Sequence, residues 1–133
     1  MPSRRPLLVA WATRHQPTQA QREAFPPGTV IRQVWARSPQ PRDVWLSIIN
    51  ACDHVAPDVI ILIARRVIYS PTVHLIHANA PEAIVVRPVM HWKPSINDYV
   101  WTGTWCRVVV IHDASGGKRT QRVAWTPESG IRR

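Results

Sequence analysis

Glycine is scarce in this chain, with five in 133 residues. None of them is arranged as GxGxxG or as a Walker A loop, so the phosphate loops of dinucleotide- and ATP-binding folds are excluded. No GxSxG occurs, which removes the strand-to-helix serine elbow of the α/β-hydrolases. Cysteine is limited to Cys52 and Cys106, with no CxxC and no short Cys/His cluster. That spacing argues against a structural zinc site and against a disulfide framework, and both thiols are expected to pack as small buried groups. Long apolar runs are missing as well. Arg4 and Arg5 precede Leu7 to Trp11, but this stretch is too short for a signal peptide and runs into Arg14 and His15. No segment approaches a membrane span, so no membrane partner is expected and the cytoplasm is the expected location.

Negative charge is also in short supply. Eight Asp and Glu stand against 17 Lys and Arg, for a formal net charge of +9. Two of the cations are Lys (Lys93 and Lys118) and the rest are Arg. Codon composition can set the ratio of Arg to Lys, but not the excess of cations over carboxylates. The guanidinium fork suits bidentate phosphate contacts, so the sign of the charge points to a nucleotide or nucleic acid, RNA or DNA, as partner.

At 133 residues with 45% apolar content, one domain over 1–133 with a sizeable core is expected. Leu7 to Ala12 reads as a buried strand and Thr18 to Phe25 as a short helix stopped by Pro26-Pro27-Gly28. Thr29 to Ala36 reads as a second strand with Arg37-Ser38-Pro39 as its exit loop. Pro41 to His54 has helical spacing of Val44, Trp45, Ile48, Ile49 and Cys52. Asp58 to Ala64 is the clearest strand. A short helix or turn is expected after Pro71, then a fourth strand from Ala83 to Val86 leading into Arg87-Pro88. Met90 to Asp98 reads as an irregular loop. Val100 to His112 and Thr120 to Trp125 read as a hairpin around the turn Ala114 to Gly117. The alternation predicts an α/β fold: a Rossmann-like, mostly parallel sheet flanked by helices over 7–89, extended by a C-terminal antiparallel β-hairpin over 99–126.

The richest stretch chemically is Thr13-Arg14-His15-Gln16-Pro17-Thr18. Thr18 and Gln21 have the spacing of a capping box, which sets a loop from a strand end onto a helix start, where anions bind. In an open parallel sheet, ligands sit beyond the carboxyl ends of the strands. The residues there are Thr13 to Gln16, then Arg37 and Ser38, then Arg65 and Arg66, and Arg87 can join them. His15 can move a proton, donate to a phosphate or simply pack. Thr13 and Thr18 carry hydroxyls for phosphate, although Thr18 also serves as a cap. His74 and His77 stand three apart without a partner carboxylate, and His54, His91 and His112 read as structural or surface residues. No metal site and no cofactor is expected. Trp101 and Trp105 share a strand face and suit packing, base stacking or an oligomer interface.

A strand ending in Arg-His-x-Pro-Thr and followed by a capped helix, here Arg14-His15-Gln16-Pro17-Thr18, resembles the compact CRISPR-associated ring nucleases of type III systems. The resemblance covers Leu7 to about Phe25, and the alternating order to about Val86. It implies a homodimer whose two-fold axis matches cyclic tetra-adenylate, and metal-independent cleavage by attack of a ribose 2′-hydroxyl on the adjacent phosphate. It places Arg14, His15, Gln16 and Thr18 around that phosphate, with Arg14 neutralising charge and His15 acting as acid, base or transition-state donor. Arg37, Ser38, Arg65 and Arg66 join by strand-exit position alone. The competing expectation is a non-enzymatic, basic nucleic-acid-binding protein, such as a phage or CRISPR accessory factor. A third reading, an enzyme acting on mononucleotides, ranks last because the sequence carries no phosphate-loop signature for it.

Overall fold

The structure, a computed structural model, describes residues 6–13, 15–63 and 66–128. Among these residues six strands form one mixed sheet: β1 (Leu8–Ala12), β2 (Val30–Gln33), β3 (Val59–Leu62), β4 (Ile84–Lys93), β5 (Asp98–His112) and β6 (Lys118–Trp125). Their spatial order is β2-β1-β3-β4-β5-β6. The first four run parallel, while β5 and β6 are antiparallel to their neighbours. Helices α1 (Gln19–Glu23), α2 (Pro41–Ala51) and α3 (Arg66–Asn79) make the three crossovers. From β1 the chain steps outward to β2, then back past β1 to β3 and on to β4. Right-handed crossovers therefore put α1 on one face and α2 with α3 on the other.

The strand sequences are apolar on both faces because both are buried. Ala10, Ile60, Leu62 and Val85 point to the face where Ile48 and Cys52 close from α2 and its end, and Val73 and Ile76 from α3. Val9, Trp11, Val59, Ile61, Ile84 and Val86 point to the other face. There α1 is only five residues long, and Phe25, Trp105 and Trp125 provide the cover instead. Both cysteines are buried and unpaired, as expected. Burial pushes both thiols up, the opposing influence being Arg32 at Cys52 and Arg122 with Arg87 at Cys106.

Three expectations are corrected. The helix before β4 does not begin after Pro71: it spans Arg66–Asn79 with Pro71 inside it. An internal proline costs about 3 kcal/mol or more through the lost hydrogen bond and ring clash. Fully burying Val73 and Ile76 returns roughly 1.5–3 kcal/mol each, enough to carry the helix through. Second, the fourth strand does not stop at Val86, and Met90 to Asp98 is not an irregular loop. β4 runs on to Lys93, a 3-10 turn covers Pro94–Ile96, Asn97 turns back with φ 51°, and β5 starts at Asp98. Pairing from Met90 with Trp101 to Lys93 with Asp98, and a T-shaped contact of Trp92 with Tyr99 at 5.1 Å, supply the order that the local sequence lacks. Third, Pro41 to His54 is helical only to Ala51. Asp53 and His54 adopt left-handed φ of 53° and 62° and turn the chain away.

The β4–β5 ladder is not uniform. Pro88 pairs with Trp105 and Met90 with Trp101, two positions on β4 against four on β5. Pro88 has no N–H to give the ladder, and the slip falls beside it. The surplus is taken up around Gly103 at φ 88°, with the Thr102 hydroxyl donating to the Val89 carbonyl at 2.9 Å. At the β5–β6 turn, Asp113 accepts from the Ser115 hydroxyl and amide and the Gly117 amide, and the Ser115 hydroxyl above all holds its carboxyl below the usual range.

His77 of α3 sits half-buried, 3.4 Å from the Val108 carbonyl of β5. Burial chiefly pushes its pKa below the ordinary 6.5, with Arg107 and His74 adding to the fall and Val108 opposing it. The folded chain thus takes up this proton at lower pH than the unfolded chain does. The stabilisation is full above about 6.5 and declines as pH falls from there toward the folded value. Urea denaturation between about pH 5 and 8 should show stability falling on the acid side, and His77→Gln should flatten that limb. An unchanged limb in the variant would assign the acid sensitivity to other groups.

Candidate functional site

β1 lies between β2 and β3, and the chain leaves β1 for one and reaches the other by crossing back. Beside β1 the crossovers diverge, and in open α/β sheets that switch in strand order is where ligands bind, beyond the carboxyl ends of the strands. The described residues at those strand ends belong to the segments after β1, β2 and β3. The Thr13-to-Thr18 loop leaves the strand at the switch in order.

That loop is held from the core. The buried Trp11 donates its indole N–H to the His15 carbonyl at 2.8 Å. The His15 amide donates to the Thr13 hydroxyl at 3.4 Å, and the Gln33 side-chain amide at the end of β2 donates to the Thr13 carbonyl at 3.2 Å. The backbone of His15 is thus fixed while its imidazole and the Gln16 side chain are exposed. Pro17, next in the chain, is buried. The capping box forms as expected: the Thr18 hydroxyl accepts from the Gln21 amide at 3.2 Å, and the Gln21 side chain accepts from the Thr18 amide at 2.9 Å. The helix it caps ends at Glu23 rather than Phe25. Five residues sum few peptide dipoles, so attraction of an anion here falls to side chains more than to the helix.

At the end of β2, Arg37 is exposed. The Ser38 hydroxyl donates to the Asp43 carboxylate and accepts from the Gln40 amide at 3.2 Å. Ser38 thereby braces the entry to α2, and the Asp43 carboxylate brings a negative charge to the rim. Arg14 and Arg65 lie outside the described residues, and Arg66 is the first residue of α3. Arg87 is not at a strand exit. It stands within β4, opposite Cys106, and faces a different cavity.

Comparison of the chain with protein-family models, curated proteins and solved structures found no match in any of the three. Among the described residues no three of His, Cys, Asp and Glu converge as metal ligands, and no helix is long and apolar enough to cross a membrane.

Two residues at the rim escaped the reading of the sequence. Trp35 follows β2 rather than forming part of it, and its ring is 59% exposed two residues before Arg37. Gln33 bridges β2 to the His15 loop. The signal for Trp35 was an aromatic ring flanked by arginines at a strand end. Nothing in the sequence marked Gln33.

Trp11→Phe keeps a ring in the core and removes the hydrogen bond to the His15 carbonyl. The lost bond should cost about 0.5–1.5 kcal/mol in addition to the smaller ring. Hydrogen exchange should speed up at His15 and Gln16 more than at Ile60 or Val85. Equal acceleration throughout would show that the loop is not anchored through this indole.

Proposed function

We propose that this is a ring nuclease-like protein of type III CRISPR immunity, a cytoplasmic homodimer that binds a cyclic oligoadenylate, with cyclic tetra-adenylate the expected ring, and cleaves it without a metal. The observation that carries the reading is the exposed His15 imidazole on a core-anchored loop at the switch point between β1 and β3. The sheet order β2-β1-β3-β4 supports a Rossmann-like assignment for the parallel part. The net charge of +9 supports a polyanionic ligand.

In this reading the 2′-oxygen of one ribose bonds to the neighbouring phosphorus while the bond from phosphorus to the 5′-oxygen breaks. A 2′,3′-cyclic phosphate and a 5′-hydroxyl result. The proton leaves the 2′-hydroxyl and one is delivered to the departing 5′-oxygen, with His15 serving one of these transfers. Arg14 offsets the charge that grows on the phosphorane, Arg65 and Arg66 are assigned to the phosphates by their sequence position after β3, and Thr13, Gln16 and Thr18 position the ring. Arg37 and Ser38 complete the rim, and the Trp35 ring offers a face for an adenine.

Incubation with cyclic tetra-adenylate in EDTA should give stoichiometric binding and linear products ending in a 2′,3′-cyclic phosphate. His15→Ala should slow cleavage about 10²–10⁴-fold while binding persists. Absence of both binding and product contradicts the proposal. Full cleavage by the variant removes His15 from the chemistry and leaves the ligand assignment standing.

A further inference from the structure

A cavity of about 700 Å³ opens at the root of the β4–β5 hairpin, where the ladder slips beside Pro88. Among the described residues, none that lines it belongs to the segments after β1, β2 or β3. The lining is chemically uneven. Arg87 and Arg122 contribute two guanidinium groups, Tyr99 and Met90 contribute apolar surface, and among the described residues no Asp or Glu lines it.

The register explains why the two cations line one pocket. Arg87 lies directly opposite Cys106, and Cys106 directly opposite Ala124. Opposite residues share a face, so Arg122, two positions from Ala124 on β6, points to the same side. Both guanidinium groups are near enough to the Cys106 thiol to offset part of the rise that burial gives its pKa. Two like charges facing one cavity are stabilised by an anion between them, and a phosphate accepts the paired hydrogen bonds that arginine offers.

The aromatic side is equally defined. The Tyr99 ring is 60% exposed and is held at its edge by Trp92, at 72° between the ring planes. A fixed, exposed ring beside a cationic pocket fits a ligand that joins a phosphate to a flat apolar group. The volume falls in the range of small-molecule sites, roughly 300–1,000 Å³.

We propose that this pocket binds a nucleoside monophosphate, with the phosphate between Arg87 and Arg122 and the base against Tyr99. This does not rest on the reading of the β1/β3 crevice. A stacking contact tolerates any base, so the pocket selects for a nucleotide rather than for adenine.

The test is calorimetric titration of the full chain with AMP, with inorganic phosphate and with adenosine as separate arms. AMP should bind more tightly than either fragment. Arg122→Ala and Tyr99→Ala, both at exposed side chains, should each weaken AMP roughly tenfold. Peptide-resolved alkylation gives a second readout that needs no substitution: AMP should slow modification of Cys106 and leave Cys52, buried under α2, unaffected. The proposal is overturned if phosphate alone binds as tightly as AMP, or if Arg122→Ala retains full affinity. It is also overturned if AMP fails to protect Cys106, or if His15→Ala abolishes binding while Arg122→Ala does not.

Discussion

Trp11 and Trp105 meet at nearly a right angle, with 6.3 Å between ring centroids, on the sheet face that no long helix covers. They come from β1 and β5, strands separated by β3 and β4, so only large side chains can span the gap. Trp105 also packs on Phe25 at 5.7 Å and on Trp101 at 5.0 Å. This cluster does the work that a longer α1 would do in a fully layered sheet. Such ring contacts add about 0.5–1.5 kcal/mol each beyond their buried area. The same Trp11 that closes the core holds the His15 carbonyl, so the packing of the C-terminal strands is linked to the geometry of the first loop.

That linkage accounts for what could be read from the sequence and what could not. The runs Leu8 to Ala12 and Val59 to Leu62 are apolar at every position, and a buried parallel strand needs nothing more to be recognised. The Thr18 and Gln21 capping box is a local interaction and was equally plain. The hairpin tip was not, because Pro94, Ser95 and Asn97 are turn residues while the order around them comes from pairing across strands. Pro71 misled for the same reason: a local penalty was outweighed by burial of Val73 and Ile76. Arg87 looked like a strand-exit residue only because the length of β4 depends on β5.

The candidate site was legible in type more than in detail. The order of strands and helices was enough to place Thr13, His15 and Arg37 on one rim. Their hydrogen bonds were not, since Gln33 and Trp11 reach the loop from other strands. Ser38, which sequence position put on the ligand side, is engaged with Asp43. The pocket lined by Arg87 and Arg122 on β4 and β6 is thus set apart from the described strand-exit residues Thr13, His15 and Arg37.

Amide chemical shifts during titration with cyclic tetra-adenylate test most directly the proposal that the strand ends beside β1 receive a cyclic ligand. The account predicts changes concentrated at Thr13, His15, Gln16, Trp35, Arg37 and Ile63, with the far ends of the same strands unmoved. Changes confined to β4, β5 and β6, or no changes at saturating ligand, would contradict it.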